Sequence, residues 1–321
     1  MLIDISEKEY KNYFPHDPYP FISEGFINLV KHKADKIVRL IDSTNKDVCI
    51  GLVAGIKDNM LLAPFSSPFG GFHYKYEAIF YDRIYDFLLK LKKYLSEEKL
   101  DCLKITLSPN IYNPCINAKL VSAFIRLDYK MNIPDIVNFI DLRHFDGKWV
   151  KSEVRQNFNR AKRNGLSFTH VTDEDSIKEA YDIILSNRKK QGRNVHMTLD
   201  EVLEVNSVMP VDFFLVRNLR GDGIGAAVLY RGHNKIVQGV FVGDVLSARK
   251  LGTMDFMFSY LFDHYKEMGF EFIDLGKSSL EGEPNIGLIR FKEIHNCVST
   301  LGYTFQLGML NKFPLIKNME H

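Results

Sequence analysis

Residues 211–243 read VDFFLVRNLRGDGIGAAVLYRGHNKIVQGVFVG. Three runs rich in β-branched and aromatic residues, 211–218, 224–231 and 235–243, are separated by Arg220-Gly221-Asp222-Gly223 and Gly232-His233-Asn234. Apolar runs of strand length between turn residues predict an antiparallel meander. A helix is expected over about 252–267, because Met254, Met257, Phe258, Leu261, Phe262 and Tyr265 recur at three and four. FEFIDLGKS (270–278) then reads as a further strand. The lone Gly223-x-Gly225 belongs to a hairpin turn.

The same order occurs earlier in the chain. KIVRLID (36–42), VCIGLVAGI (48–56) and MLLAPF (60–65) read as strands, with Asp58-Asn59 as a turn. A helix follows whose apolar positions are Ile84, Phe87, Leu88, Leu91 and Leu95, and DCLKITLS (101–108) closes the unit. Ile50-Gly51 matches Ile224-Gly225, and Ile105-x-Leu107 matches Ile273-x-Leu275. A mixed unit repeated at this period predicts an α/β (α+β) fold of two tandem units. Each would be a mixed, mostly antiparallel sheet flanked by helices. The 321 residues suit two cores better than one, and the expected division is 1–145 and 146–321.

Between the halves lies KWVKSEVRQNFNRAKRNGLSFTHV (148–171). Val150, Val154, Phe158 and Ala161 form one apolar stripe of a helix that Gly165 is placed to end. Residues 166–171 alternate like a strand, and helices are expected over 173–189 and 199–208. The charge of this segment has two readings. Arg155 and Arg160 reach an anionic substrate such as a nucleotide diphosphate, or they coat the helix.

Composition narrows the function classes. The net charge is +2, so no global field suits a dedicated DNA-binding protein. The start, MLIDISEKEY, does not read as a signal peptide. No apolar stretch reaches the roughly 20 residues of a membrane span. Cys49, Cys102, Cys115 and Cys297 form no C-x-x-C pair, which fits reduced thiols in the cytoplasm. No H-E-x-x-H and no G-x-S-x-G occurs, so neither metal catalysis nor a hydrolase elbow is expected. The run Gly276-Lys277-Ser278 is not a phosphate-binding G-x-x-x-x-G-K-[ST] loop, since Glu271 stands where the first glycine is required. It reads as a strand end where Lys277 and Ser278 face an acceptor. Residues 308–321, GMLNKFPLIKNMEH, have no assignment beyond a tail.

The strand–strand–helix–strand order of 211–278 resembles the GNAT acyltransferase fold. Its duplication, with Arg155-x-Asn157-x-x-Arg160-Ala161-x-x-x-Gly165-Leu166 between the halves, resembles the double-GNAT proteins. These include the Fem-type peptidyl-bridge aminoacyltransferases and the BioF2-like acetyltransferases. Gly287-Leu288-Ile289-Arg290-Phe291-Lys292 is similar to the family's G-L-x-x-F-K. The resemblance covers roughly residues 25–307.

The resemblance implies a donor loop of the form R/Q-x-x-G-x-G/A before a helix, where backbone N–H groups and the helix N-terminus receive a pyrophosphate. The matching residues are Arg249, Lys250, Leu251, Gly252 and Thr253, with Met254 in place of the small residue. It also implies a catalytic Lys292, with Phe291 beside it, stabilising the tetrahedral oxyanion. Asp274, Asp244 and His295 are candidate general bases, Asp274 foremost. In the first unit, 63–74 (APFSSPFGGFHY) occupies the place of the donor loop and lacks R-x-x-G. That unit is therefore expected to carry no donor site. Its aromatic residues, Phe69 among them, either meet the acceptor or pack.

The implied activity is N-acyl transfer, with acetyl-CoA or another acyl-CoA as donor, to an amine of a cell-envelope or sugar precursor. The acceptor would be a small molecule or nucleotide-linked. The alternatives are a Fem-type transfer from aminoacyl-tRNA to a peptidoglycan precursor, a catalytically inactive GNAT-like scaffold, and a nucleic-acid-binding protein.

Overall fold

The computed structural model describes residues 1–308 apart from Lys46, Asn194 and His196; the tail from residue 309 onward lies outside the described residues. The chain begins with β1 (Leu2–Asp4), α1 (Glu7–Tyr13), α2 (Glu24–Val30), β2 (Lys36–Asp42), β3 (Ile50–Lys57), β4 (Met60–Ala63) and β5 (Phe72–Tyr74). α3 (Tyr81–Glu97), β6 (Cys102–Thr106), α4 (Pro114–Arg126) and β7 (Lys130–Met131) follow. Then come β8 (Asp135–Asp141), α5 (Ser152–Arg163), β9 (Ser167–Val171), α6 (Glu174–Lys190), α7 (Leu199–Val205), β10 (Val211–Arg217), β11 (Gly223–Tyr230) and β12 (Ile236–Asp244). α8 (Thr253–Glu267), β13 (Phe272–Lys277), β14 (Ser279–Leu280), β15 (Glu283–Pro284), α9 (Ile286–Ile294), β16 (Val298–Gly302) and β17 (Thr304–Gly308) complete it. Each half is a mixed, mostly antiparallel sheet flanked by helices.

The first unit comprises Met1–Pro134 and the chain from Gly302. Its sheet runs β1-β2-β3-β4-β6-β17-β7, with β5 also pairing to β3. Asp58 and Asn59 both take positive φ, 48° and 61°, which makes the tight β3–β4 turn that their sequence predicts. α3 lays Ile84, Phe87, Leu88 and Leu91 on the sheet, each at most 1% exposed. Each such side chain contributes about 1.5–3 kcal/mol by leaving water.

The second unit comprises Asp135–Leu301, and its sheet runs β16-β8-β13-β12-β11-β10-β9. Its core joins Phe214, Val216, Ala227, Leu229 and Val237 of the sheet to Phe256, Met257, Leu261 and Phe262 of α8.

Two expectations differ from the structure, the division and the stripe of α5. The division falls at Pro134/Asp135 rather than at 145/146. β8 hydrogen-bonds β13, with Ile140 opposite Ile273, and so belongs to the second sheet. β17 leaves the second half and pairs with β6, with Phe305 opposite Ile105. Its ring stacks on Phe124 at 4.5 Å, so the apolar surface of the first core captures a strand made late in the chain. Val150 precedes α5 and is 72% exposed, so the stripe of that helix narrows to Val154, Phe158 and Ala161.

Candidate functional site

In the second unit β12 and β13 run parallel, with Ile236↔Phe272, Val237↔Ile273 and Gln238↔Asp274 in register. Pairing stops there, although β12 continues to Asp244 and β13 to Lys277. The register of β12 against β11 also shifts between Val228 and Leu229, which leaves Val240 as the extra residue of a bulge. A bulge bends its strand and increases twist. The two parallel strands therefore part toward their C-terminal ends, where open α/β sheets offer ligands a crevice.

The helix entering this region is α8. Gly252 precedes it at φ +83°, and no side chain caps it. A Cβ on Gly252 would lie 2.4 Å from the carbonyl oxygen of Asn157, so glycine is required here twice over, by backbone angle and by the approach of α5. The first-turn N–H groups of α8 thus present the positive end of the helix. Thr253 is fully buried and donates its hydroxyl to the Ala248 carbonyl at 3.0 Å, while Leu251 and Met254 pack on the core. Asp255, in the same turn, accepts from the Asn157 amide at 3.1 Å and lies 3.2 Å from His295 Nε2. That His295 contact is misaligned for a hydrogen bond.

Arg249 and Lys250 flank the helix start. The Arg249 guanidinium is held by Asp244, with Nε at 3.0 Å from Oδ2 and a terminal nitrogen 3.1 Å from Oδ1. Asp244 in turn accepts from the Asn187 amide at 2.9 Å, and Gln191 fixes that amide by donating to its oxygen at 2.7 Å. Lys250 is exposed.

Lys292 is 5% exposed on α9 and turns inward. Its ammonium donates to the carbonyls of Leu275 at 2.8 Å, Gly276 at 3.1 Å and, weakly, Lys277 at 3.5 Å. It therefore grips the end of β13 just past the point where the strands part. Burial pushes its pKa down to about 8, with Arg188 adding repulsion, while Cys297 and Asp274 pull the other way. Asp274 is buried and accepts from the Gly276 N–H at 2.8 Å.

The structure thus gathers Lys292, Asp274 and the main chain of 275–277 at one strand end. It separates them from several other candidates. Ser278 is buried and donates to Asn138, so it faces no ligand. Lys277 pairs with Asp135 at 2.7 Å. Phe291 packs on Phe258 and His295. Arg155 and Arg160 are exposed on α5, and Arg160 donates to Asn157 at 2.6 Å. His295 is fully buried, and Asp244 is committed to Arg249, so neither is open to an acceptor amine.

Phe69 requires the clearest correction. It is 3% exposed inside the first unit, against Tyr19, Phe21 and Tyr112. The aromatic loop is core, because paired glycines let it fold back: Gly70 donates to Thr106 and Gly71 accepts from Val53.

Asn187 and Arg188 escaped the sequence reading. The signal was there in Arg188-Lys189-Lys190-Gln191-Gly192-Arg193, but positive charge at a helix C-terminus is ordinarily explained by the helix dipole. Among the described residues, no group of three or more His, Cys, Asp or Glu side chains could hold a metal ion. No described helix is long and apolar enough to cross a membrane.

No family model matches the chain, and no curated protein matches it in sequence. Solved structures do. The crystal structure of FemX superposes with a TM-score of 0.67 at 11% identity, covering 97% of this chain and 98% of that one. The C-terminal domain of a putative lysylphosphatidylglycerol synthetase from Agrobacterium fabrum gives 0.58 at 16% identity over 95% and 94%. A tandem GNAT protein from the clavulanic acid biosynthesis pathway gives 0.55 at 8% identity over 96% and 98%. The chain has the double-GNAT, Fem-like fold.

Proposed function

We propose that the protein is an N-acyltransferase whose second unit binds the activated donor at residues 246–254, with acyl-CoA the favoured donor. The observation that carries this reading is the parted β12/β13 pair beside an uncapped helix N-terminus flanked by Arg249 and Lys250. A pyrophosphate suits the helix start and the two cations. An extended acyl-bearing arm suits the edge of β12 past Gln238, where its pairing to β13 has ended. Asp255 opposes an anion, but Asn157 engages it and His295 stands beside it.

In the reaction the acceptor amine attacks the donor carbonyl and a C–N bond forms. The tetrahedral oxyanion then collapses, the C–S bond breaks to release the CoA thiolate, and the proton lost by the amine ends on that sulfur, giving the amide and free CoA thiol. Lys292 is the ammonium assigned to that oxyanion. Its contact with Lys277 O, at 3.5 Å, is the weakest of its three and the one a substrate oxygen would replace. Acceptors of the sugar or cell-envelope precursor class follow from the resemblance set out above.

A second reading has a specific observation behind it: the likeness to a structure named for lysylphosphatidylglycerol synthesis. There the donor would be an aminoacyl-tRNA. Thermal melting separates the two. Saturating CoA should raise Tm by mass action, and Arg249→Gln should weaken that half-saturation by about tenfold, as loss of a charge-assisted contact does. No shift with millimolar CoA, together with transfer from labelled aminoacyl-tRNA, would reverse the preference.

A further inference from the structure

Helix α5 carries charge that the donor loop does not use. Its apolar stripe, Val154, Phe158 and Ala161, is turned to the core. The outward arc carries Arg155, Arg160, Lys162 and Arg163, all exposed, against one carboxylate, Glu153. Among the described residues none of these four cations forms an ion pair. Arg160 donates to the Asn157 side chain at 2.6 Å, and Lys162 lies over the Phe158 ring, 4.7 Å from its centre. Both partners are neutral, so the positive charge stays uncancelled.

The helix stands at the donor loop. A Cβ on Gly252 would lie 2.4 Å from the Asn157 carbonyl oxygen, and the Asn157 amide donates to Asp255 in the first turn of α8 at 3.1 Å. Lys250, exposed on the loop itself, adds a further cation. The 12 residues of α5 span about 18 Å, well beyond what a pyrophosphate covers. A row of like charges of that length attracts a polyanion laid along it.

Two side chains at the helix ends indicate which kind of polyanion. Val150, just before α5, is 72% exposed, with its N–H held by the Asn296 side chain at 2.9 Å. Leu219 is 80% exposed and lies against Gly165, where a Cβ would fall 2.3 Å from one of its methyl groups. Each end of the basic helix therefore presents an aliphatic side chain to water. A phosphate backbone is bound through charge and hydrogen bonds and offers such side chains nothing. A folded acidic protein covers apolar groups and matches charges in one interface.

We infer that α5 docks an acidic carrier protein, whose acyl-phosphopantetheine arm enters at the 246–254 loop in place of free acyl-CoA. The arm rests on the acyltransferase reading; the docking surface does not. Transfer balances as it does with CoA. The amine nitrogen forms the C–N bond, the thioester C–S bond breaks, and the carrier leaves with a free thiol that takes the proton lost by the amine.

Fluorescence anisotropy of a labelled, acetyl-charged acyl carrier protein, titrated with the full chain at low salt, tests this. Saturable binding is expected, weakening by about tenfold or more as salt rises from ~50 to ~250 mM. The double substitution Arg155→Glu with Arg163→Glu should weaken it by about tenfold or more, and Arg155→Lys with Arg163→Lys should retain most of it. These positions are exposed, so the melting temperatures should match that of the parent, which guards against a folding artefact. Leu219→Ser should weaken carrier binding by about fivefold. An RNA hairpin or phosphatidylglycerol vesicles that bind more tightly than the carrier, and lose that binding on charge reversal, would give the surface to nucleic acid or lipid and overturn the proposal. So would the absence of carrier binding at low salt, or carrier binding that survives the charge reversal. Charge-dependent carrier binding without a rise in Tm on adding CoA would keep the docking surface and remove free acyl-CoA as donor. A CoA response without carrier binding would remove the docking surface and leave the acyl-CoA reading.

Discussion

The two units carry the same pair of parallel strands and treat the ends of those strands in opposite ways. In the first, β4 and β6 pair from Met60↔Cys102 to Ala63↔Ile105, the full length of β4. The chain then folds back: Gly70 donates to the Thr106 carbonyl, beyond the paired strands, and β5 pairs with β3. A Cβ on Gly71, at φ +109°, would lie 2.9 Å from Ala63, so the return is as tight as backbone allows. In the second unit the strands part after Gln238 and Asp274, and a bulge at Val240 bends β12. One fold thus yields a strand pair closed by its own loop in the first unit and a strand pair that parts in the second.

The largest expected effect breaks the filled side of that comparison. Phe69 is buried among Tyr19, Phe21 and Tyr112, so Phe69→Ala should cost about 3–5 kcal/mol of stability, measured by urea or thermal unfolding. It should leave CoA binding by the folded fraction unchanged. If the variant instead gains a second CoA per chain in calorimetry, the loop is a plug over a latent donor site, and the contrast between the units is one of occupancy alone. A stability change under about 1 kcal/mol would contradict the core role of the loop.

The next test addresses the open side. Lys292→Met removes the ammonium that holds the Leu275 and Gly276 carbonyls. Turnover should fall by about 10²–10³, the usual cost of losing a donor to the developing oxyanion. CoA binding should survive, since the donor loop does not include this residue. Equal losses in CoA affinity and turnover would make Lys292 a support for the strand end and nothing more.

How far the sequence could carry this contrast depends on which interactions decide each element. The meanders and their helices were legible because period-two and three–four patterns report burial face directly. The boundary of KIVRLID matches β2 residue for residue. Partner choice was not legible. β8 and β17 exchange sheets because of which core accepts Ile140 or Phe305, a matter of tertiary register that local propensity does not contain. The 63–74 loop lacks a donor pattern, but its aromatic residues gave no sign of facing inward. That depends on the positive φ of Gly71 and on the main-chain bonds of Gly70. Lys292 was within reach of sequence because the resemblance of Gly287–Lys292 to G-L-x-x-F-K carried it.

The smallest effect is the sharpest about mechanism, because Lys292 has a direction of titration. Its pKa in the folded chain is about 8, against an ordinary value of 10.5, and the leading cause is burial. Between those values the unfolded chain binds more protons than the folded one, so stability should rise with pH there, and the full penalty of the buried ammonium should apply below about 8. Activity should move the other way. If the charged form serves the oxyanion, kcat at saturating substrates should decline as pH passes 8 and lose about tenfold by pH 9. Lys292→Arg, which stays charged, should retain whatever activity its shape permits without that decline. A rise in kcat through pH 8, followed by a plateau, would instead mark the neutral amine as the working form and turn Lys292 from electrostatic partner into proton acceptor. A decline of the same position and depth in Lys292→Arg would assign the titration to another group. In either case the stability limb identifies the residue independently of catalysis: it should vanish in Lys292→Met, whose melting temperature would lose its dependence on pH between 8 and 10.5 relative to the parent.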